Sequence, residues 1–126
     1  MPGTFDRELL RGSLDLMVLS VLAESPAYGY LIQKRISDTS AGRVNLQAGT
    51  LYPLLHRLEA DGALSTRMDR STGRDRKLYE LTAAGRRRMH RQAVEWHEYA
   101  QCMRDLVRPI LAALPNPPEA PEVSPA

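Results

Sequence analysis

The chain has 126 residues, 43% of them hydrophobic, and a formal net charge of +2. That length supports one modest core, and no apolar run reaches the roughly 18 residues needed to span a bilayer. Asp6, Arg7 and Glu8 precede Leu9, which is not the layout of a signal peptide, so a cytoplasmic protein is expected. The lone Cys102 has no partner for an intrachain disulfide or a zinc site, which argues against redox chemistry.

Leu10, Leu14, Met17, Val18, Val21 and Leu22 recur at helical spacing, and Leu9, Leu16 and Leu19 fill the other faces. A helix apolar nearly all round must be covered nearly all round. Asp15 inside it is expected either to find a hydrogen-bond partner or to serve as the counter-ion of a ligand, since a buried carboxylate needs compensation in both cases. In "ESPAYGY", Glu24 to Tyr30, Ser25 suits a cap and Pro26 a first helical position. The second helix then carries Tyr28, Leu31, Ile32 and Ile36 inward and frays in "SDTSAGR". "VNL", Val44 to Leu46, could form a very short strand.

In "GTLYPLLHRLEADGAL" the spacing predicts a helix from Leu51, with Leu51, Leu54, Leu55 and Leu58 as its apolar stripe and Gly62 as its end. The outer face is left to Thr50, Pro53, His56 and Arg57, with Tyr52 at its edge. A proline costs little in a first turn, and hydroxyls at a helix N-terminus can donate to phosphates or base edges. Two short strands follow, Ala63 to Met68 and Lys77 to Thr82, joined by the polar loop "DRSTGRDR". From Arg67 to Arg91 there are nine basic residues against three acidic ones. Such clustering fits an anionic partner, nucleic acid above all.

Thr82 can cap a last helix, in which Met89, Ala93, Trp96, Ala100, Met103, Val107, Ile110 and Leu114 follow a coiled-coil spacing. A chain this short favours a second copy as the partner of that seam. Pro109 should kink or end the helix, and "PNPPEAPEVSPA" reads as a disordered tail. His90 and His97 lie too far apart along the helix to make a metal site within one chain, and neither Ser13, Ser20 nor Cys102 sits in a nucleophile motif. Neither an enzyme, a resident metal nor a cofactor is expected.

The expected fold class is mainly α with a small β-hairpin: a winged helix-turn-helix, residues 1–82, followed by a long dimerisation helix, 83–114, and a Pro-rich tail, 115–126. In such a fold the third helix enters a major groove and the wing reaches the adjacent backbone. A protein-interaction module that uses the same fold without DNA is the alternative. The arginines on both the wing and the last helix favour DNA.

"LLRGSLDLMVLSVLAESPAYGYLIQKRI", "GTLYPLLHRLEADGAL" and "GRDRKLYELTAAGRR" together resemble the PadR family of bacterial transcription regulators, in particular its shorter subfamily with one C-terminal helix. The resemblance implies a dimeric repressor on a double-stranded operator with inverted repeats, released by a small molecule or other signal. It implies DNA-backbone roles for Tyr28 and Tyr52, a recognition face including Thr50, Pro53, His56 and Arg57, and a basic wing at Arg74, Arg76 and Lys77, where Asp75 interrupts the basic run. Multidrug-sensing relatives stack planar compounds between the Trp residues of two such helices, a position similar to Trp96, so Trp96 is expected either to face such a pocket or simply to pack the dimer core. Asp15, Leu16 and Tyr99 would complete that pocket, whereas Ala100 stands where those relatives carry an acid.

Overall fold

The computed structural model describes residues 3–71 and 73–119. The chain divides between Ala93 and Val94 into two compact units.

In the first unit, α1 (Arg7–Leu10) is opened by Asp6, whose carboxylate accepts the Glu8 N–H at 2.8 Å. A 3-10 turn, Arg11–Ser13, separates it from α2 (Leu14–Leu22). The continuous apolar helix read from spacing is thus broken at Gly12 and Ser13, and the Ser13 hydroxyl donates back to the Leu10 carbonyl at 3.1 Å. Hydroxyl back-bonding of this kind competes with the helical ladder.

The second helix also begins later than expected. Ala27 and Tyr28 form a two-residue strand, β1, that pairs antiparallel with β3 (Arg76–Leu81), and α3 runs over Gly29–Thr39. Ser25 is no cap. Its hydroxyl and its carbonyl each accept from the Arg35 guanidinium at 2.8 Å, which fastens the turn to α3. Val44 and Leu46 are buried one by one, with no strand formed.

The stripe Leu51, Leu54, Leu55 and Leu58 is buried as its spacing required, on α4 (Ala48–Ala60). Because α4 starts at Ala48 rather than Leu51, Pro53 sits in its second turn. The backbone donor that Pro53 lacks leaves the Gly49 carbonyl without its helical partner, and both residues are solvent-exposed, where water can take that role. At the other end Gly62 (φ +81°) lets the chain reverse: its N–H reaches the Glu59 carbonyl at 3.0 Å and the Ala63 N–H reaches Leu58 at 2.9 Å. This is the paired closure of a Schellman end.

The wing strands are β2 (Leu64–Asp69) and β3, each displaced by one residue from expectation, and the sheet order is β1-β3-β2. Thr82 leaves the strand to cap α5 (Ala83–Ala112), accepting the Gly85 N–H at 2.9 Å and donating to the Gly62 carbonyl at 2.7 Å. Gly85 passes so close to the preceding turn that a Cβ there would lie 2.0 Å from the Ala63 oxygen. Gly85 and Met89 are buried, so the first turns of α5 belong to the winged-helix core, and the boundary expected after Thr82 lies inside the helix instead.

The second unit carries the rest of α5. Pro109 does not end the helix, which continues to Ala112 and closes with tight turns from Ala113 to Ile110 and from Leu114 to Leu111. Leu114, expected in the seam, therefore lies beyond the helix. Of the expected tail, residues 120–126 lie outside the described residues. Among the described residues no helix is long and apolar enough to cross a membrane.

Candidate nucleic-acid interface

The outer face of α4 carries Tyr52, Pro53, His56 and Arg57 exposed and Thr50 half-buried, as the alternation with the leucine stripe required. Tyr52 is held from behind. Its ring lies over Gly29, where an added Cβ would come within 2.5 Å of the phenolic oxygen. The first turn of α3 and the second turn of α4 are thereby locked side to side.

The wing is anchored to β1 by tyrosines. The Tyr28 hydroxyl donates to the Asp69 carboxylate, which also accepts the Ser71 N–H at 2.9 Å and the Ser71 hydroxyl at 2.7 Å. Those bonds, Tyr28 first, hold the Asp69 carboxyl down at about 2, and the same hydrogen bond raises Tyr28 above its ordinary value. Tyr30 stacks on Tyr28 with centroids 5.9 Å apart and rings 10° from parallel. The Arg76 guanidinium sits over both rings, at 5.7 and 5.6 Å, within cation–π range. Arg76 is thus oriented before any partner arrives.

Lys77 is less free. Its ammonium lies 3.6 Å from Glu59, which also accepts the Thr66 hydroxyl; that hydrogen bond first, and Lys77 after it, lower the Glu59 carboxyl. Tyr28, Tyr30, Tyr52, His56, Arg76 and Lys77 together line a cleft of about 430 Å3 between the wing and α4. Beyond it, the hairpin loop turns at Gly73 (φ +78°), with Arg74 exposed and free of ion pairs among the described residues. Asp75, which interrupts the basic run, pairs with Arg70 at 3.4 Å rather than with the expected wing cations.

Arg57 stands at the edge of this surface and is already engaged. Asp15 on α2 pairs with Arg57 through one carboxylate oxygen and with Arg88 of α5 at 2.7 Å through the other, and Arg88 reaches Asp61 at 3.3 Å. Asp15 thereby takes the hydrogen-bonded role rather than lying open as a counter-ion, since two guanidiniums share its charge. Leu16 is half-buried.

In the second unit Trp96 and Tyr99 are 50% and 61% exposed. Met103 and Ile110 are exposed too, but Ala100 and Val107 are half-buried, while Leu106 is 70% exposed. The most open apolar line is therefore Trp96, Tyr99, Met103, Leu106 and Ile110, which shares only three positions with the expected seam. Ala93 is exposed, and Met89 is covered by its own chain. His90 and His97 are exposed, and no group of three or more His, Cys, Asp or Glu that could hold a metal occurs among the described residues.

Tyr30, Leu106 and the Asp15–Arg88 pair were missed from the sequence. Tyr30 follows Tyr28 by two residues in "AYGY", a signal that was present but reads as a turn. Leu106 fits an alternative heptad phase.

Residues 18–91 match the transcriptional regulator PadR-like family. A transcriptional regulator of Mycobacterium tuberculosis, Rv3488, is 38% identical over 80 residues, covering 64% of this chain and 72% of that protein. A PadR family regulator from Eggerthella lenta superposes with a TM-score of 0.71 at 37% identity, over 79% of this chain and 86% of the other. A regulator from Clostridium thermocellum gives 0.74 at 28% identity, over 79% and 98%. With the tyrosine-anchored wing beside an exposed helix face, these matches place the chain: it belongs to the PadR-like family of transcriptional regulators, not to a family of enzymes, and it has that family's winged helix-turn-helix fold.

Proposed function

We propose that the protein is a cytoplasmic, homodimeric repressor that binds an inverted-repeat operator and is released by a small planar effector. The observation that carries the DNA part is the cleft between α4 and the wing. A major-groove reader needs a helix face without core duties, flanked by cations held in place. Thr50, Pro53 and His56 supply the face, Tyr52 a backbone donor, and Arg76, Lys77 and Arg74 the cations, with Tyr28, its hydroxyl engaged by Asp69, positioning Arg76.

The dimer reading rests on the open apolar line of α5. A Trp, a Tyr, a Met, a Leu and an Ile left bare on one helix form a contiguous patch that a second copy of the same helix can cover. Trp96 and Tyr99 offer flat faces to a planar aromatic effector there. Ala100 stands where the multidrug-sensing relatives carry an acid, so a positive charge is not required of the effector.

A gel-shift assay on the DNA upstream of the protein's own gene, with light scattering on the free protein, tests both halves. The expected result is a dimer that retards the fragment through two half-sites, with planar aromatics quenching Trp96 fluorescence and weakening the complex in parallel. A monomer that retards neither this fragment nor any recovered by selection from random duplexes would overturn the reading.

A further inference from the structure

A second groove, of about 500 Å3, lies in the first unit at the N-terminal end of α4. It is lined by Arg7, Arg11, Arg43, Asn45, Gln47 and Thr50 among others, and no carboxylate borders it among the described residues. Three guanidiniums are thus gathered from α1, the 3-10 turn after it and the turn before α4. We propose that this groove is a phosphate track: it holds backbone phosphates of the operator that flank the segment read by α4, and so extends the footprint to the N-terminal segment of the chain. The proposal rests on the DNA-binding reading of the preceding subsection.

Three features fix the choice of occupant. Thr50 belongs both to this groove and to the outer face of α4, so the groove continues the proposed interface instead of forming a separate site. Arg43 is held ready. Its guanidinium carbon lies over the Phe5 ring, 3.9 Å from the centroid, its Nε donates to the Gly3 carbonyl at 3.3 Å, and the Phe5 N–H donates to the Arg43 carbonyl at 3.0 Å. Its two terminal nitrogens have no hydrogen-bond partner among the described residues, and a planar fork with free donors matches phosphate geometry. Finally, the cap residue of α4, Gln47, makes no side-chain bond to the first turn, so the opening amides of a 13-residue helix add their partial positive charge to the same wall.

The acidic residues nearby leave this balance intact. Glu8 pairs with Arg11 at 2.8 Å with both side chains about three-quarters exposed, a contact that a phosphate can replace at little cost, and Asp6 is used as the cap of α1. Arg7 has no ion-pair partner among the described residues.

The test is the salt dependence of binding by the full-length dimer to its operator and to a random duplex. Each phosphate contact adds about 0.9 to the slope of log affinity against log salt. Arg7→Gln with Arg11→Gln should lower the slope by about 1 to 2 on both duplexes, leave the preference for operator over random DNA unchanged, and remove hydroxyl-radical protection at the outer edge of each half-site. Arg43→Gln should lower the slope further by about 0.9. Both residues of the double variant are exposed, so an unchanged melting curve confirms an intact fold. An unaltered slope and footprint in a variant that still binds its operator overturns the phosphate track and leaves the DNA-binding reading standing. A wild-type protein that binds no duplex removes both.

Discussion

The two units of the chain handle their apolar residues in opposite ways. In the first, Val18, Leu19, Ile32, Leu51, Leu55 and Leu58 are fully sealed by elements of the same unit, and Tyr79 closes the sheet side. In the second, the large side chains of α5 stay open, although their spacing is just as regular. The difference teaches what helical periodicity means. It marks one face of a helix as apolar, and says nothing of whether elements of the same unit cover that face.

Met103→Glu with Leu106→Glu puts charges where the second copy of the proposed dimer would have to remove water. Light scattering should show monomers, circular dichroism should show the winged-helix unit still folded, and operator affinity should fall by about 10²–10⁴ through loss of linked half-sites. If the dimer persists, the open line of α5 is not the interface.

Gly85→Ala addresses the part of α5 that belongs to the sealed unit. The new methyl group would meet the Ala63 carbonyl, so denaturant unfolding should show a loss of about 1–3 kcal/mol, typical of overpacking, at any protein concentration. A loss that grows on dilution would place this residue in a contact between copies instead.

Within the proposed DNA surface, His56→Ala should relax preference at particular base pairs by about 1–3 kcal/mol. Arg74→Ala should weaken all duplexes alike and lower the salt slope by about 0.9. Competition binding against a library of single-base operator variants separates the two. Identical profiles would merge the reader and the grip into one role.

The smallest effect concerns the wing anchor. Asp69, held at about 2 against an ordinary value near 3.9, contributes stability that is fully present above about pH 4 and is lost as pH falls toward 2. Tyr28, raised, contributes through the same bond below about pH 10 and loses that contribution as pH rises through its own value. In Tyr28→Phe the carboxyl resonance of Asp69 should titrate at higher pH than in the parent, with part of the depression kept by Ser71. An unmoved titration would show that Ser71 alone holds the carboxylate.

The leucine stripe of α4 and its glycine end were legible because both are local: a period within one helix and a residue type suited to one backbone angle. Its start was not. Gln47 gives no capping signal, and Pro53 drew the expected beginning forward to Leu51. Strand β1 has only two residues and exists through Leu78 and Tyr79 far along the chain, which no alternation can reveal. The same holds for Asp15, whose partners lie 42 and 73 positions away. In α5 the sequence held two overlapping seams through Trp96, Met103 and Ile110, and only the exposure of Tyr99 and Leu106 against Ala100 and Val107 distinguishes them.

With the DNA-reading role proposed for α4, the contact between Tyr52 and Gly29 governs how freely this regulator can acquire new targets. Thr50, Pro53 and His56 have no part in the buried core, so their side chains can be exchanged in a library without rebuilding the domain. Tyr52 is different, since its ring occupies the volume that any side chain at position 29 would claim. A recognition helix grafted from a relative with another residue at this position would leave a gap above α3, and one grafted onto a scaffold without the glycine would collide with it. Retargeting by exchange of α4 therefore transfers two positions as a unit, one of which lies outside the helix being exchanged.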